Sequence, residues 1–209
     1  ESVDTVIKRG TTPIAVGAFE AMLNETDVVL IDTRDASEFG KGFIPGAINI
    51  GITGSFAVWV GTLIKDIKQS IVFVAEPGRE EEVAIRLARV GYDNCQGYLQ
   101  GGMASWIEAG YALDTIPSVS VEEFAAEEAK NPAINILDVR KKSEYDSEHI
   151  TNAINAPLDY VDQSMLQVDK HKTYYVHCAG GYRSMVFASI LKGKGYNNLI
   201  NVNGGFTAI

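Results

Sequence analysis

The sequence predicts an α/β protein built from two tandem domains, each a mainly parallel central sheet flanked by helices. Three observations carry this. Short runs rich in β-branched and apolar residues alternate with amphipathic stretches, the pattern of strand–helix–strand units. Val29-Leu30-Ile31-Asp32-Thr33-Arg34 is echoed by Asn135-Ile136-Leu137-Asp138-Val139-Arg140, and Phe43 to Asn49 by His149 to Asn155. The echoes, together with Glu38/Glu144, Gly91-Tyr92/Gly195-Tyr196 and Gly101-Gly102/Gly204-Gly205, recur about 105 residues apart, which is the length of a small domain rather than of a solenoid repeat.

In chain order, Val28 to Ile31 reads as a buried strand closed by Asp32, and a short helix is predicted near Ser37 to Gly40. Ile71 to Val74 is a second apolar strand, Glu80 to Val90 an amphipathic helix with acids in its first turn, and Gly97 to Leu99 a further strand. The first domain is placed at 1–113. Asp114-Thr115-Ile116-Pro117-Ser118, with its proline and small polar residues, reads as the linker 114–118, and the second domain follows at 119–209. In it, Tyr174-Tyr175-Val176 is a strand and Met185 to Leu191 an amphipathic helix.

Composition excludes several classes of function. The 209 residues carry a formal charge of −9, which argues against nucleic acid or an anionic membrane surface as partner, because both require basic patches. No apolar run approaches the ~20 residues of a membrane span, and no basic region followed by an apolar core marks the N-terminus. Two cysteines in different halves, Cys95 and Cys178, are too few for a disulfide scaffold, so a reducing, cytoplasmic setting and a free Cys178 thiol are expected. The chain begins with Glu1 rather than methionine, which fits a fragment of something longer.

Chemistry concentrates in His177-Cys178-Ala179-Gly180-Gly181-Tyr182-Arg183-Ser184. Cys178 falls where a strand ends and a helix is about to begin, so free backbone N–H groups and the positive end of the helix dipole are expected to face its sulfur. Gly180 and Gly181 suit a backbone curled to point successive N–H groups inward. Cys178 is the candidate nucleophile, and Ala179, Gly180, Gly181, Tyr182 and Arg183 are the candidate binding loop. Arg183 either meets an anionic substrate or braces the loop against an acidic side chain. The alternation of the strand turns His177 away from the sulfur, which suits packing better than polarising the thiol. Asp32-Thr33-Arg34 and Asp138-Val139-Arg140 end their strands, and a structural salt bridge is the favoured reading of each. Cys95, between helix and strand, is read as a packing cysteine.

Asp138-Val139-Arg140, Glu144, His149-Ile150 leading to Ala153-Ile154-Asn155, the loop from Cys178 to Arg183 and the final Gly204-Gly205 together resemble the rhodanese family, and the resemblance spans both halves. It implies a cysteine that carries a persulfide, here Cys178, and sulfurtransferase activity that passes sulfane sulfur from a small donor such as thiosulfate to a thiol acceptor. It implies Asp138, Arg140 and Glu144 as structural support, and it implies no cofactor and no metal. Six residues run from Cys178 to Arg183, whereas related phosphatases have a longer loop that fits a tetrahedral oxyanion; the tighter ring suits one sulfur atom. A non-catalytic scaffold or docking module for a partner enzyme is the alternative.

Counting back from Gly91 and Gly195 sets Val74 against Cys178 and Arg79 against Arg183. The first loop then has no cysteine, contains Pro77 and leads into Glu80-Glu81-Glu82, so the first domain is expected to be inactive. Ile50 to Gly61 is more apolar than its counterpart and is expected to form a surface covering another domain. Gly42 to Gly51, Phe56 to Gly61 and Arg86 to Asn94 resemble rhodanese modules fused behind a metallo-β-lactamase-fold domain, as in persulfide dioxygenase-like proteins. That resemblance implies a metal-dependent partner domain ahead of Glu1. The chain's own histidines, His149, His171 and His177, contain no His-x-His-x-Asp-His run to build such a site.

Overall fold

The computed structural model of the chain describes residues 1–209. In chain order it contains α1 (Val3–Gly10), β1 (Pro13–Ile14), α2 (Val16–Glu25), β2 (Val29–Asp32), α3 (Ala36–Lys41), β3 (Ile48–Asn49), α4 (Phe56–Leu63), β4 (Ile71–Val74), α5 (Glu80–Arg89), β5 (Cys95–Leu99) and α6 (Gly102–Glu108). The second repeat continues with β6 (Ser118–Val119), α7 (Val121–Lys130), β7 (Asn135–Asp138), α8 (Lys142–Ser147), β8 (Ile154–Asn155), α9 (Val161–Ser164), β9 (Tyr174–His177), α10 (Tyr182–Gly193), β10 (Leu199–Val202) and α11 (Gly205–Ala208). Two compact units result. One holds Glu1–Asp35 and Phe43–Asp114, and the other holds Ala36–Gly42 and Thr115–Ile209.

Each unit carries one five-stranded sheet, ordered β1-β5-β4-β2-β3 in the first and β6-β10-β9-β7-β8 in the second. Every pairing is parallel. Parallel strands need crossover connections, and the helices that supply them cover the sheet faces, so central strands are apolar along their length. β4 shows this, with Ile71, Val72, Phe73 and Val74 all buried. The predicted α/β class and duplicated sheets are what the chain adopts.

Helix starts follow local chemistry. The Ser2 hydroxyl accepts from the Thr5 N–H at 3.3 Å and caps α1. Ser120 and Glu123 exchange hydrogen bonds of 3.1 and 2.8 Å in a capping box that opens α7. The second core gathers Phe124, Ile136, Ala153 and Val202, with Tyr175 tilted against Phe124 at 5.5 Å between ring centres.

Two sequence expectations change. α10 begins at Tyr182 rather than near Met185, because its first turn is polar and apolar periodicity registers only the buried residues from Met185 onward. The apolar stretch Ile50 to Gly61 is not an open surface in the chain: Ile50, Ile52, Phe56, Trp59 and Val60 are buried, and Val58 is the large side chain that stands out. No helix is long and apolar enough to cross a membrane.

Candidate active site

β9 delivers Cys178 one residue beyond the end of the sheet. His177 closes the strand, its carbonyl accepting the Val139 N–H at 3.0 Å, and the chain then turns through four residues into α10. The position lies outside the carboxyl ends of parallel strands, where open α/β sheets hold their ligands. Cys178 is a free thiol with 1 % of its surface exposed.

The Gly181 N–H points back at the Cys178 sulfur, 3.0 Å away. That reversal needs the left-handed backbone of Gly181, at φ 95°, which a residue with a Cβ resists. Gly180 differs from expectation. It has no positive φ, it is exposed, and a Cβ there would meet nothing within 4 Å, so only one of the two loop glycines is demanded by geometry. On the inner side the Cys178 thiol faces the Ser184 hydroxyl at 3.6 Å. The sequence names Ser184 at the end of the motif but assigns it no role. Its signal was a small hydroxyl residue in the first turn of an otherwise apolar helix, six positions after the cysteine.

Arg183 braces. Its Nη1 and Nη2 donate to the two carboxylate oxygens of Glu144 on α8 at 2.7 and 3.0 Å. A two-pronged pair of this kind fixes direction as well as distance. The hydrogen bond from Arg183 is the chief reason the Glu144 carboxyl is lowered to about 2. Glu144 also accepts the Lys141 N–H at 3.0 Å, which ties the start of α8 to the start of α10. Tyr182, half-buried, opens α10 at the loop rim.

Below the loop, Asp138 is fully buried and accepts from the Arg140 backbone N–H and Nε at 3.0 Å and from Nη2 at 2.7 Å. Arg140 also donates to the Glu148 carbonyl at 2.8 Å and lies 4.1 Å from the centre of the Phe206 ring. The Asn155 amide binds the carbonyls of Asp138 and Arg140 at 3.1 and 3.0 Å. The first unit repeats the arrangement, with Arg34 clasping Asp32 and Asn49 binding the carbonyls of Asp32 and Arg34. The clasp thus recurs in the unit whose corresponding loop holds no cysteine, as a fastening of strand ends.

His177 is buried, and neither ring nitrogen faces the thiol. Nδ1 donates to the Cys178 carbonyl at 3.2 Å, while Nε2 lies 3.8 Å from Asp138 with no hydrogen-bond partner. Burial lowers the His177 pKa, so the imidazole is neutral and its one proton sits on Nδ1, since a carbonyl can only accept.

The sheets also correct the alignment of the two loops. Asp32 pairs with Val74 as Asp138 pairs with His177, so Ala75, not Val74, occupies the place of Cys178, and Glu80, not Arg79, that of Arg183. The helix after the second loop carries one more residue before its closing glycine, and a backward count passes that residue on to the loop. In the first unit the Gly78 N–H, at φ 91°, donates to the Glu80 carboxylate at 2.8 Å. The chain's own carboxylate takes the donor that its counterpart Gly181 gives to sulfur.

A family model described as Rhodanese-like domain matches residues 15–109 and 120–209. The chain is 33 % identical over 91 residues to the putative sulfur carrier protein YrkF of Bacillus subtilis, covering 44 % of this chain and 49 % of that one. It is 38 % identical over 96 residues to the adenylyltransferase and sulfurtransferase uba4 of Ogataea parapolymorpha, covering 46 % of this chain and 24 % of that one. Among solved structures, a rhodanese-like domain protein from Staphylococcus aureus is 30 % identical with a TM-score of 0.42, covering 44 % of this chain and 90 % of that one. The chain thus spans half or less of the length of these two curated relatives, each over about one domain. With both halves matched and both sheets parallel, the chain belongs to the rhodanese-like domain family and carries two copies of the domain.

Proposed function

We propose that the chain is a sulfurtransferase or persulfide carrier in which Cys178 takes sulfane sulfur from thiosulfate or a small persulfide and passes it to a thiol. The observation that carries this is the Gly181 N–H aimed at the Cys178 sulfur from a six-residue loop. The Cys178 thiolate attacks the outer sulfur of the donor, reaching it past the exposed Gly180. A bond forms between Sγ and that sulfur, the donor's own sulfur bond breaks, and sulfite or a thiolate leaves with the electron pair. An acceptor thiolate then attacks the outer sulfur of the Cys178 persulfide, leaving as an acceptor persulfide and returning Cys178 to thiolate. N–H groups of the loop from Ala179 to Arg183 steady the anionic sulfur, as backbone donors steady developing charge elsewhere. Two relatives that each match about one domain have names describing sulfur carriage and transfer, which agrees with this reading.

The first copy is inactive in this reading, because Ala75 replaces the nucleophile and Glu80 fills the loop. The natural setting is a cytoplasmic polypeptide in which a metallo-β-lactamase-fold domain precedes Glu1 and shares a sulfur substrate with Cys178. Intact mass after incubation with thiosulfate or glutathione persulfide tests the central claim. The parent gains one sulfur atom and Cys178→Ser gains none. Cys95 does not compete, since burial pushes its thiol up to about 11. An unmodified parent, or an adduct retained in Cys178→Ser, overturns the proposal.

A further inference from the structure

The chain's last turn is bound to the back of the cysteine loop. The Phe206 N–H donates to the Cys178 carbonyl at 2.7 Å and the Thr207 N–H to the Ala179 carbonyl at 3.0 Å. His177 Nδ1 adds a second donor to the Cys178 carbonyl. Such close approach of two backbones is possible only at Gly205: a Cβ there would lie 2.4 Å from the Cys178 carbonyl oxygen and 2.7 Å from that of Ala179. The Phe206 ring lies against Arg140, so the same turn is anchored to the Asp138 clasp.

A trans peptide points its N–H opposite to its C=O. Fastening the carbonyls of residues 178 and 179 to α11 therefore turns the N–H groups of Ala179 and Gly180 to the other side of the loop. We infer that α11 is a positioning element for the sulfur carried on Cys178, with Gly205 and Thr207 as positioning residues that set which way the loop's N–H groups face. The inference deepens the sulfur-transfer reading and rests on it, though the loop geometry can be tested without any sulfur donor.

The first unit contains its own control. Gly102 corresponds to Gly205 and has a similar positive φ, 61° against 57°, but a Cβ on Gly102 would come no nearer than 3.4 Å to the Ala75 carbonyl. Gly102→Ala and Gly205→Ala therefore impose the same backbone strain, and only the second pushes on a loop. Thr207→Pro is the second variant. It removes the N–H that holds the Ala179 carbonyl, at a first-turn position where helices tolerate proline.

Two readouts are taken on the full chain: sulfur transfer from thiosulfate, split into kcat and KM, and the pH dependence of Cys178 alkylation by iodoacetamide. Far-UV circular dichroism verifies folding. Gly205→Ala and Thr207→Pro are expected to lower kcat at least about tenfold with little change in KM, and to move the alkylation midpoint to higher pH than in the parent, as the loss of an oriented donor to an anion does. Gly102→Ala is expected to change neither. Parent-like kcat and alkylation profiles in folded Gly205→Ala and Thr207→Pro would overturn the inference, as would an equal effect of Gly102→Ala. If the parent transfers no sulfur at all, the sulfur-transfer reading fails while the alkylation profiles still decide the positioning role.

Discussion

Replacing Glu144 by glutamine isolates the brace between α8 and the cysteine loop. The Glu144 carboxyl is lowered from 4.5 to about 2, first by the hydrogen bond from Arg183. At ~1.4 kcal/mol per pK unit the shift corresponds to about 3 kcal/mol. The Glu144 side chain is 34 % exposed, so water screens the pair, and a contribution of about 1 to 1.5 kcal/mol is expected at neutral pH. Because the folded value lies below the unfolded one, this stability is complete above pH 4.5 and is lost as the pH falls toward 2. Glu144→Gln should thus be less stable at neutral pH by that amount, and the gap should close in acid, where the parent's carboxylate is protonated as well. Hydrogen–deuterium exchange along a urea series, read on peptides covering Asn135–Ser147 and Tyr174–Gly193, follows the second unit separately from the first. A variant as stable as the parent at neutral pH, or a gap that persists unchanged at the lowest pH, would refute the reasoning.

Placing a cysteine in the first loop should not create a second active copy. Ala75→Cys, made in a Cys178→Ser background, is expected to show no sulfur adduct by intact mass, since Pro77 lacks an N–H and Glu80 already occupies the Gly78 donor. Adding Pro77→Gly and Glu80→Arg to that variant is the combination expected to gain an adduct. Arg140→Lys keeps the charge beside buried Asp138 but cannot reproduce the fork, the bond to the Glu148 carbonyl and the cover over Phe206 at once. A loss of about 2 to 3 kcal/mol in urea unfolding of the second unit is expected, whereas a loss under ~0.5 kcal/mol would show that the clasp is dispensable.

Much of the site could be read along the chain because its parts are local. A strand, a cysteine, a glycine that turns the backbone and a helix are consecutive, so apolar runs and punctuation place Cys178 at a strand-to-helix turn. The duplication was equally visible, as Asp32-Thr33-Arg34 and Asp138-Val139-Arg140 sit at matching points of matching runs. What failed was counting across a helix. One extra residue in the second repeat shifted the loop alignment, and only the pairing of Asp32 with Val74 and of Asp138 with His177 reset it. The apolar run at Ile50 to Gly61 is a related case: composition reports that side chains seek burial, not which part of the molecule provides it.

Local order along the chain was enough to establish two α/β repeats, a single cysteine at a sheet's carboxyl edge and a first loop without a cysteine, because strand length, helix starts and turn residues act over a few neighbouring positions. The fold alone decided that Arg183 spends its fork on Glu144, that Ser184 lies beside the sulfur, that Gly180 is free while Gly181 is not, and that α11 holds the loop from behind. Each of those contacts joins residues on separate elements or depends on a backbone angle. Their geometry exists only once the parallel sheet has brought β7, β9 and β10 into register.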